Sequence, residues 1–225
     1  MVCADLFGTM VSDEGMVERA FAEAIGTQGI VPGTGAYARC MVQVHQARGE
    51  PDIDIFRKMF PGNEAGAQVT KLTFERSFAA SIDRIGLSAV PGAEAAIDKL
   101  TGAGVRVCLI TGISRGLLGR MLDTLGWWDR VDLAICSEDV GRGCPWPDPV
   151  LTAVLRLGIA DVRQVAVAAG TESAILSGCR SGACIVAGVR TGAHSSAKLR
   201  RAGATHLIGS VADLPDLISS DFPAA

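Results

Sequence analysis

The chain has 225 residues, 48% hydrophobic and 20% charged, with 21 Lys and Arg against 24 Asp and Glu and a formal net charge of −3. That balance contains no basic block, which argues against nucleic acid, and no apolar run approaches the ~20 residues that a bilayer crossing needs, which argues against a membrane span. Seven Cys are scattered without a Cys-x-x-Cys pair, the three His at 45, 194 and 206 are too dispersed for a zinc site, and the first residues lack the charged and apolar regions of a signal peptide, so a cytoplasmic location is expected.

In chain order, Val2-Cys3-Ala4-Asp5 reads as a short strand whose end carries a carboxyl group beside a Gly8-Thr9 loop. Residues 13–29 read as a helix, with Met16, Ala20, Phe21, Ala24 and Ile25 at helical spacing and Ser12 and Asp13 as cap candidates. Further helices are expected at about 35–48, 53–60 and 64–85, broken by Gly49-Glu50-Pro51-Asp52 and Pro61-Gly62-Asn63. After Val90-Pro91-Gly92 the pattern alternates: helix to Gly102, strand 105–110, helix 114–126, strand 132–136, helix 147–157, strand 164–168, helix 173–181 and strand 184–189. The expected fold is therefore α/β, with a doubly wound parallel sheet built from residues 1–13 and 86–225 and an inserted all-helical cap over 14–85. Any site belongs at the carboxyl ends of the strands, where Asp5, Thr111, Cys144 and Gly170 all fall.

Four segments carry a resemblance. Asp5-Leu6-Phe7-Gly8-Thr9 has the form Asp-x-x-Gly-Thr; Val107-Cys108-Leu109-Ile110-Thr111-Gly112 is a buried run ending in Thr-Gly; residues 139–148 contain Cys144-Pro145-Trp146-Pro147-Asp148; and residues 165–182 read as a strand, a loop and a helix closed by Gly182. In this order they resemble the four motifs of the haloacid dehalogenase superfamily. The tail, with Thr191-Gly192-Ala193-His194, Thr205-His206 and Ser210-Val211-Ala212-Asp213, looks like its phosphonatase-like branch. The resemblance implies a Rossmann-like core with a cap, a nucleophilic Asp5, and Mg²⁺ in the relatives.

Against that pattern the acidic positions of the fourth motif are Gly170 and Ala174, the Lys or Arg of the third is Cys144, and the position two after Asp5 is Phe7. The Asp that usually closes the first motif is Ser12. The Lys that forms a Schiff base in phosphonatases, within Met-Gly-x-x-Lys, corresponds in this reading to His45 of Met41-Val42-Gln43-Val44-His45, and imidazole cannot form that imine. Mg²⁺ needs an oxygen-rich octahedral shell, so the expectation is that no metal or other cofactor binds, with Glu172 the one nearby acid that could replace a lost ligand. Arg142 or Arg115 could replace the lost cation. Without metal or cation the Asp5 pKa is expected to rise.

The candidate catalytic residues are Asp5 and Thr111; the candidate substrate-binding residues are Phe7, Gly8, Thr9, Gly112, His45, Cys144, Trp146 and Gly170. Each has a bland alternative: Asp5 as a loop cap, Thr111 as a loop support, Cys144 as a small buried apolar residue, His45 as surface, and Trp146 as a rim residue outside the pocket. Trp127 and Trp128 read as packing. The function expected is a small-molecule enzyme acting without metal on a non-phosphorylated substrate in the cleft between core and cap, as in secondary-metabolite tailoring. The alternatives are a non-catalytic binding protein and a conventional phosphonatase-like hydrolase. The resemblance also implies a homodimer through the cap.

Overall fold

A computed structural model describes residues 1–12 and 14–221. The chain runs β1 (Val2–Asp5), β2 (Val11–Ser12), α1 (Met16–Gly26), α2 (Gly35–Gln46), α3 (Asp52–Met59), α4 (Glu64–Ile85) and β3 (Ser88–Ala89). It then alternates α5 (Ala93–Gly102), β4 (Val107–Ile110), α6 (Arg115–Leu125), β5 (Leu133–Ile135), α7 (Asp148–Arg156), β6 (Ala166–Ala169), α8 (Glu172–Ser181), β7 (Ile185–Val189), α9 (Ser196–Arg201), β8 (His206–Ile208) and α10 (Leu214–Asp221). The large sheet has the order β5-β4-β1-β6-β7-β8, and each pairing is parallel.

Parallel strands joined through helices are covered on both faces, which is why β1, β4 and β6 are buried at every residue. Alternate side chains feed two separate cores, as the two-residue period requires: Val2, Ala4, Val107 and Leu109 on one face, Cys3, Cys108, Ile110 and Val167 on the other. Because β1 lies between β4 and β6, the ends of three neighbouring strands open onto one place.

The four helices α1 to α4 form the cap, inserted between β2 and β3. Those two strands pair antiparallel, Val11 with Ala89 and Ser12 with Ser88, so the chain leaves and re-enters the core through one short ribbon. This pairing is what the sequence reading missed. Ser12, expected to cap the first helix, is engaged in the ribbon, and α1 starts only at Met16, after Gly15 in the left-handed region at φ 75°. Asp13, the other cap candidate, lies outside the described residues. The strand expected from Val105 starts at Val107, because the Val105 N–H closes the end of α5 on Leu100.

The cap is held by phenylalanines from three helices. The Phe21 and Phe74 rings lie 4.4 Å apart, Phe21 and Phe56 5.0 Å, and Phe74 stacks on Phe78 at 5.9 Å. Phe7, from the loop after β1, meets Phe78 edge-on at 5.5 Å and joins the cluster to the core. Of the two adjacent tryptophans, Trp127 is buried with its indole N–H on Glu94, whereas Trp128 stands out in solvent and is not packing. No helix among the described residues is long and apolar enough to cross a membrane.

Phe74 meets the rings of Phe21, Phe56 and Phe78, so Phe74→Ala is expected to cost about 3–5 kcal/mol. Urea unfolding of the variant beside the parent measures it.

Candidate active site

Asp5 ends β1 and is 9% exposed. Its Oδ1 accepts the Leu6 N–H at 2.9 Å, and its Oδ2 accepts the Thr171 hydroxyl at 3.1 Å. Burial pushes the Asp5 carboxyl up to about 6, opposed by those two hydrogen bonds and by the Arg48 charge. Thr171 follows β6 and caps α8, its hydroxyl oxygen accepting the Ala174 N–H at 3.4 Å. The sequence reading missed it by starting that helix at Ser173. A Thr immediately before the first helical residue, Glu172, was the available signal.

The space beside Asp5 where the family's fourth motif would place an acid is filled by backbone. A Cβ built on Gly170 would lie 2.4 Å from the Gly192 Cα, and one on Gly192 would lie 2.2 Å from the Gly170 Cα. The Gly8 backbone, at φ 71°, packs on the same residue. The Thr191 hydroxyl donates to the Gly8 carbonyl at 2.6 Å, and the His194 N–H donates to the Gly170 carbonyl at 3.0 Å. Thr9 is fully buried beneath this contact, its hydroxyl without a hydrogen-bond partner among the described residues. Mg²⁺ wants several oxygen ligands at near-octahedral angles. Position 170 has no room for a side chain, position 174 is Ala, and no cluster of three His, Cys, Asp or Glu among the described residues could hold an ion. The residues present do not fit Mg²⁺.

From the cap, residues 48–52 close down on the core. Gly49 sits so near Thr171 and Ser173 that a Cβ would meet the Thr171 Oγ1 at 2.4 Å; the Glu50 carbonyl lies over Gly112, and the Pro51 ring over Gly143. The Ser173 hydroxyl donates to the Arg48 carbonyl at 2.8 Å, and the Asp52 N–H donates to the Gly112 carbonyl at 3.2 Å. A second clasp is His194, whose Nδ1 accepts the Glu172 N–H and whose Nε2 meets the His45 carbonyl, each at 2.8 Å. Burial lowers the His194 pKa, in keeping with an Nδ1 that accepts the Glu172 N–H.

The enclosed cleft is lined by Asp5, Phe7, Thr111, Gly112, Thr171, Arg48 and Asp52, with Phe21, Phe74 and Ile55 as apolar walls. Its free volume is about 40 Å³, room for a few waters and far below a typical ligand site. Arg48 is the buried cation here, paired with Glu18 at 2.5 Å. Asp52, 3% exposed, is a second cleft carboxyl: Oδ1 accepts the Ile53 N–H at 2.7 Å and Oδ2 has no hydrogen-bond partner among the described residues. Burial pushes Asp52 up to about 7, opposed by Lys71. Neither Arg48 nor Asp52 stood out in the sequence. The Gly-x-x frame read at 42–45 has a better instance at Gly49-Glu50-Pro51-Asp52, with a true glycine, and this is the one that reaches the core.

Other expected residues fall elsewhere. The His45 side chain is exposed to solvent and does not line the Asp5 cleft; its carbonyl meets His194 Nε2 and its ring meets the His194 ring edge-on at 5.5 Å. Cys144 is buried, its thiol pushed up to about 12 by burial, and it borders an outer depression with Trp146 instead of the Asp5 cleft. Trp146 is 46% exposed, with the Arg142 guanidinium 4.4 Å over its ring. Arg142 pairs with Asp148 and Arg115 with Asp139, so neither replaces a cation at Asp5. Glu172 pairs with Lys198 at 3.0 Å. Gly8, Thr9 and Gly170 support the cleft from behind through Gly192 and do not line it.

A family model for haloacid dehalogenase-like hydrolases matches residues 1–170. The chain belongs to that family. This haloacid dehalogenase-like chain is 29% identical over 137 residues to the phosphonoacetaldehyde hydrolase of Pseudomonas aeruginosa, covering 59% of the chain and 49% of that protein. It thus spans about half the length of the phosphonoacetaldehyde hydrolases that it matches. Hexitol phosphatase A of Escherichia coli is 26% identical over 183 residues, covering 81% of this chain and 80% of its own. Among solved structures, a hydrolase from Pseudomonas syringae superposes with a TM-score of 0.83 at 20% identity, covering 100% of this chain and 99% of that one. A phosphonoacetaldehyde hydrolase-like protein from Oleispira antarctica gives 0.83 at 22%, covering 97% and 91%. These superpositions establish the α/β core with its helical cap.

Two outcomes are expected. Gly170→Asp should destabilise the fold by about 1–3 kcal/mol or more, since the new side chain must displace backbone; a thermal melt with and without Mg²⁺ measures it. Because Asp5 and Asp52 hold protons more tightly folded than unfolded, their contribution to stability is greatest below the ordinary Asp range. It falls as pH rises, until about 6 for Asp5 and about 7 for Asp52. Asp52→Asn should therefore gain stability over the parent at pH 8 and not at pH 4, read as the difference between their urea midpoints.

Proposed function

We propose that this protein is a small-molecule enzyme of the haloacid dehalogenase-like family that works without metal on a non-phosphorylated substrate, with Asp5 as general acid and base. The observation that carries the reading is the setting of Asp5: a buried carboxyl held by Leu6 N–H and Thr171 hydroxyl, beside a backbone contact that fills the place of an acidic ligand. A carboxyl raised to about 6 exists in both forms near neutral pH, so it can take a proton from a bound substrate and return it. The Thr171 donor stabilises the ionised form, and its position on α8 fixes the orientation of Oδ2. Thr111, across the cleft at the end of β4, offers a hydroxyl to orient the substrate. The cap segment 48–52 excludes water while the proton moves.

The names of the matched relatives point instead to phosphonate or phosphate ester hydrolysis, a charge-stabilising task for which this cleft offers a buried, already paired Arg48 and two carboxyls. The tight seal of the cap, with about 40 Å³ beneath it, favours a second reading as a binding protein that keeps the fold and turns nothing over.

Asp5→Asn keeps shape and most hydrogen bonding but cannot transfer a proton. Turnover, followed by mass spectrometry across a panel of small amines, alcohols and carbonyl compounds, is expected to fall by about 10²–10⁴ while the melt stays cooperative. Full activity in that variant would remove Asp5 as the catalyst. Phosphate release from an aryl phosphate that requires Mg²⁺ would restore the hydrolase reading, and saturable binding without turnover would favour the binding protein.

A further inference from the structure

We propose that the ligand of the Asp5 cleft is an amine, its protonated nitrogen engaging the carboxyls of Asp5 and Asp52 and its apolar body lying against Phe7, Phe21 and Phe74. The proposal rests on the reading of this cleft as the ligand site and adds the chemical class of what it takes.

Charge is the first argument. The cations near the cleft are already matched by acids: Arg48 by Glu18 at 2.5 Å, and Lys71 of α4 by Glu75 at 2.8 Å and Glu138 at 3.5 Å. Asp5 faces Arg48, and Asp52 faces Lys71, Glu75 and Glu138, so ionising both carboxyls leaves the cleft with an excess of negative charge. An anionic ligand meets repulsion there, and a cation meets what is missing.

Hydrogen bonding is the second, independent argument. A buried carboxylate oxygen without a donor is costly, and Asp52 Oδ2 is such an atom in a side chain 3% exposed on the cleft wall. Asp5 spends one protein donor on each oxygen and keeps lone pairs for another. An ammonium carries three N–H donors on one small centre, enough to serve both carboxyls. The walls supply the third argument: three phenylalanines stand around these carboxyls, and aromatic faces attract cations, more strongly when water is excluded.

The arrangement also couples the ligand to cap closure. Asp52 begins α3 and reaches the cleft only because its N–H is tied to Gly112 and Gly49 is seated on Thr171. One carboxyl comes from the core and one from the cap, so a nitrogen that engages both holds the two parts together.

The test uses the full chain and four probes, n-propylammonium, benzylammonium, benzyl alcohol and inorganic phosphate, with binding followed by NMR titration. At pH 8, where Asp5 and Asp52 are ionised and the amines still protonated, the ammonium probes are expected to bind at least tenfold more tightly than the alcohol. Phosphate should not compete, and amine affinity should fall at least tenfold at pH 5. Asp52→Asn and Asp5→Asn should each weaken the amine at least tenfold. Equal binding of amine and alcohol, no saturable amine binding, or displacement of amine by phosphate would overturn the proposal on the unmodified protein, whatever the variants do. Amine binding unchanged in a cooperatively melting Asp52→Asn would overturn it as well. Loss of turnover in Asp5→Asn without amine binding would defeat the amine and leave the acid and base role standing; amine binding with turnover intact in that variant would do the reverse.

Discussion

The contact between the Gly170 and Gly192 backbones shapes the surroundings of Asp5. With a Cβ excluded at both positions, the end of β6 and the loop after β7 approach closer than any pair of side-chain-bearing residues could. No acid can stand at 170 without moving that loop. Asp5 is left with Arg48, itself paired with Glu18, as its neighbouring cation, and the protein meets its two oxygens with a backbone N–H and a threonine hydroxyl. Neutral donors offset only part of the cost of burying a carboxylate, so the group keeps a raised proton affinity.

The cap repeats the same device on the other side. Gly49, Gly112 and Gly143 are three places where hydroxyl side chains, main chain or a proline ring approach too closely for a side chain, and together they let residues 48–52 lie flat on the strand ends. His194 fastens the neighbouring edge by accepting from α8 and contacting the end of α2. The consequence is a cleft whose polar groups come from both parts, Asp5 and Thr111 from the sheet and Arg48 and Asp52 from the cap.

The family connection explains the scaffold and not the reaction. A doubly wound sheet places ligands at its carboxyl edge whatever the chemistry. Here that edge carries two carboxyls with raised proton affinity, a paired arginine and aromatic walls. Phosphoryl chemistry needs positive charge at that edge, and proton chemistry needs groups of adjustable charge.

Much of this could be read from the chain directly. Short buried runs separated by amphipathic helices fix a parallel sheet, because only a strand covered on both faces can be apolar throughout; the end of each such strand then locates Asp5, Thr111 and Gly170 near one another. The missing acids were visible as residue types. What tertiary structure alone decided was which cap residue points inward and what occupies the vacated place. His45 and Asp52 lie on adjacent helices, and periodicity cannot tell which one faces the sheet until the ribbon of β2 and β3 sets how the cap sits. Cys144 and Trp146 follow a motif frame but border a depression outside the Asp5 cleft, Cys144 as a buried residue and Trp146 half exposed. Thr171 bonds Asp5 across 166 residues, and Gly170 meets Gly192 from a different loop. Local sequence records propensity and residue chemistry; close approach between distant segments is a property of the packed chain alone.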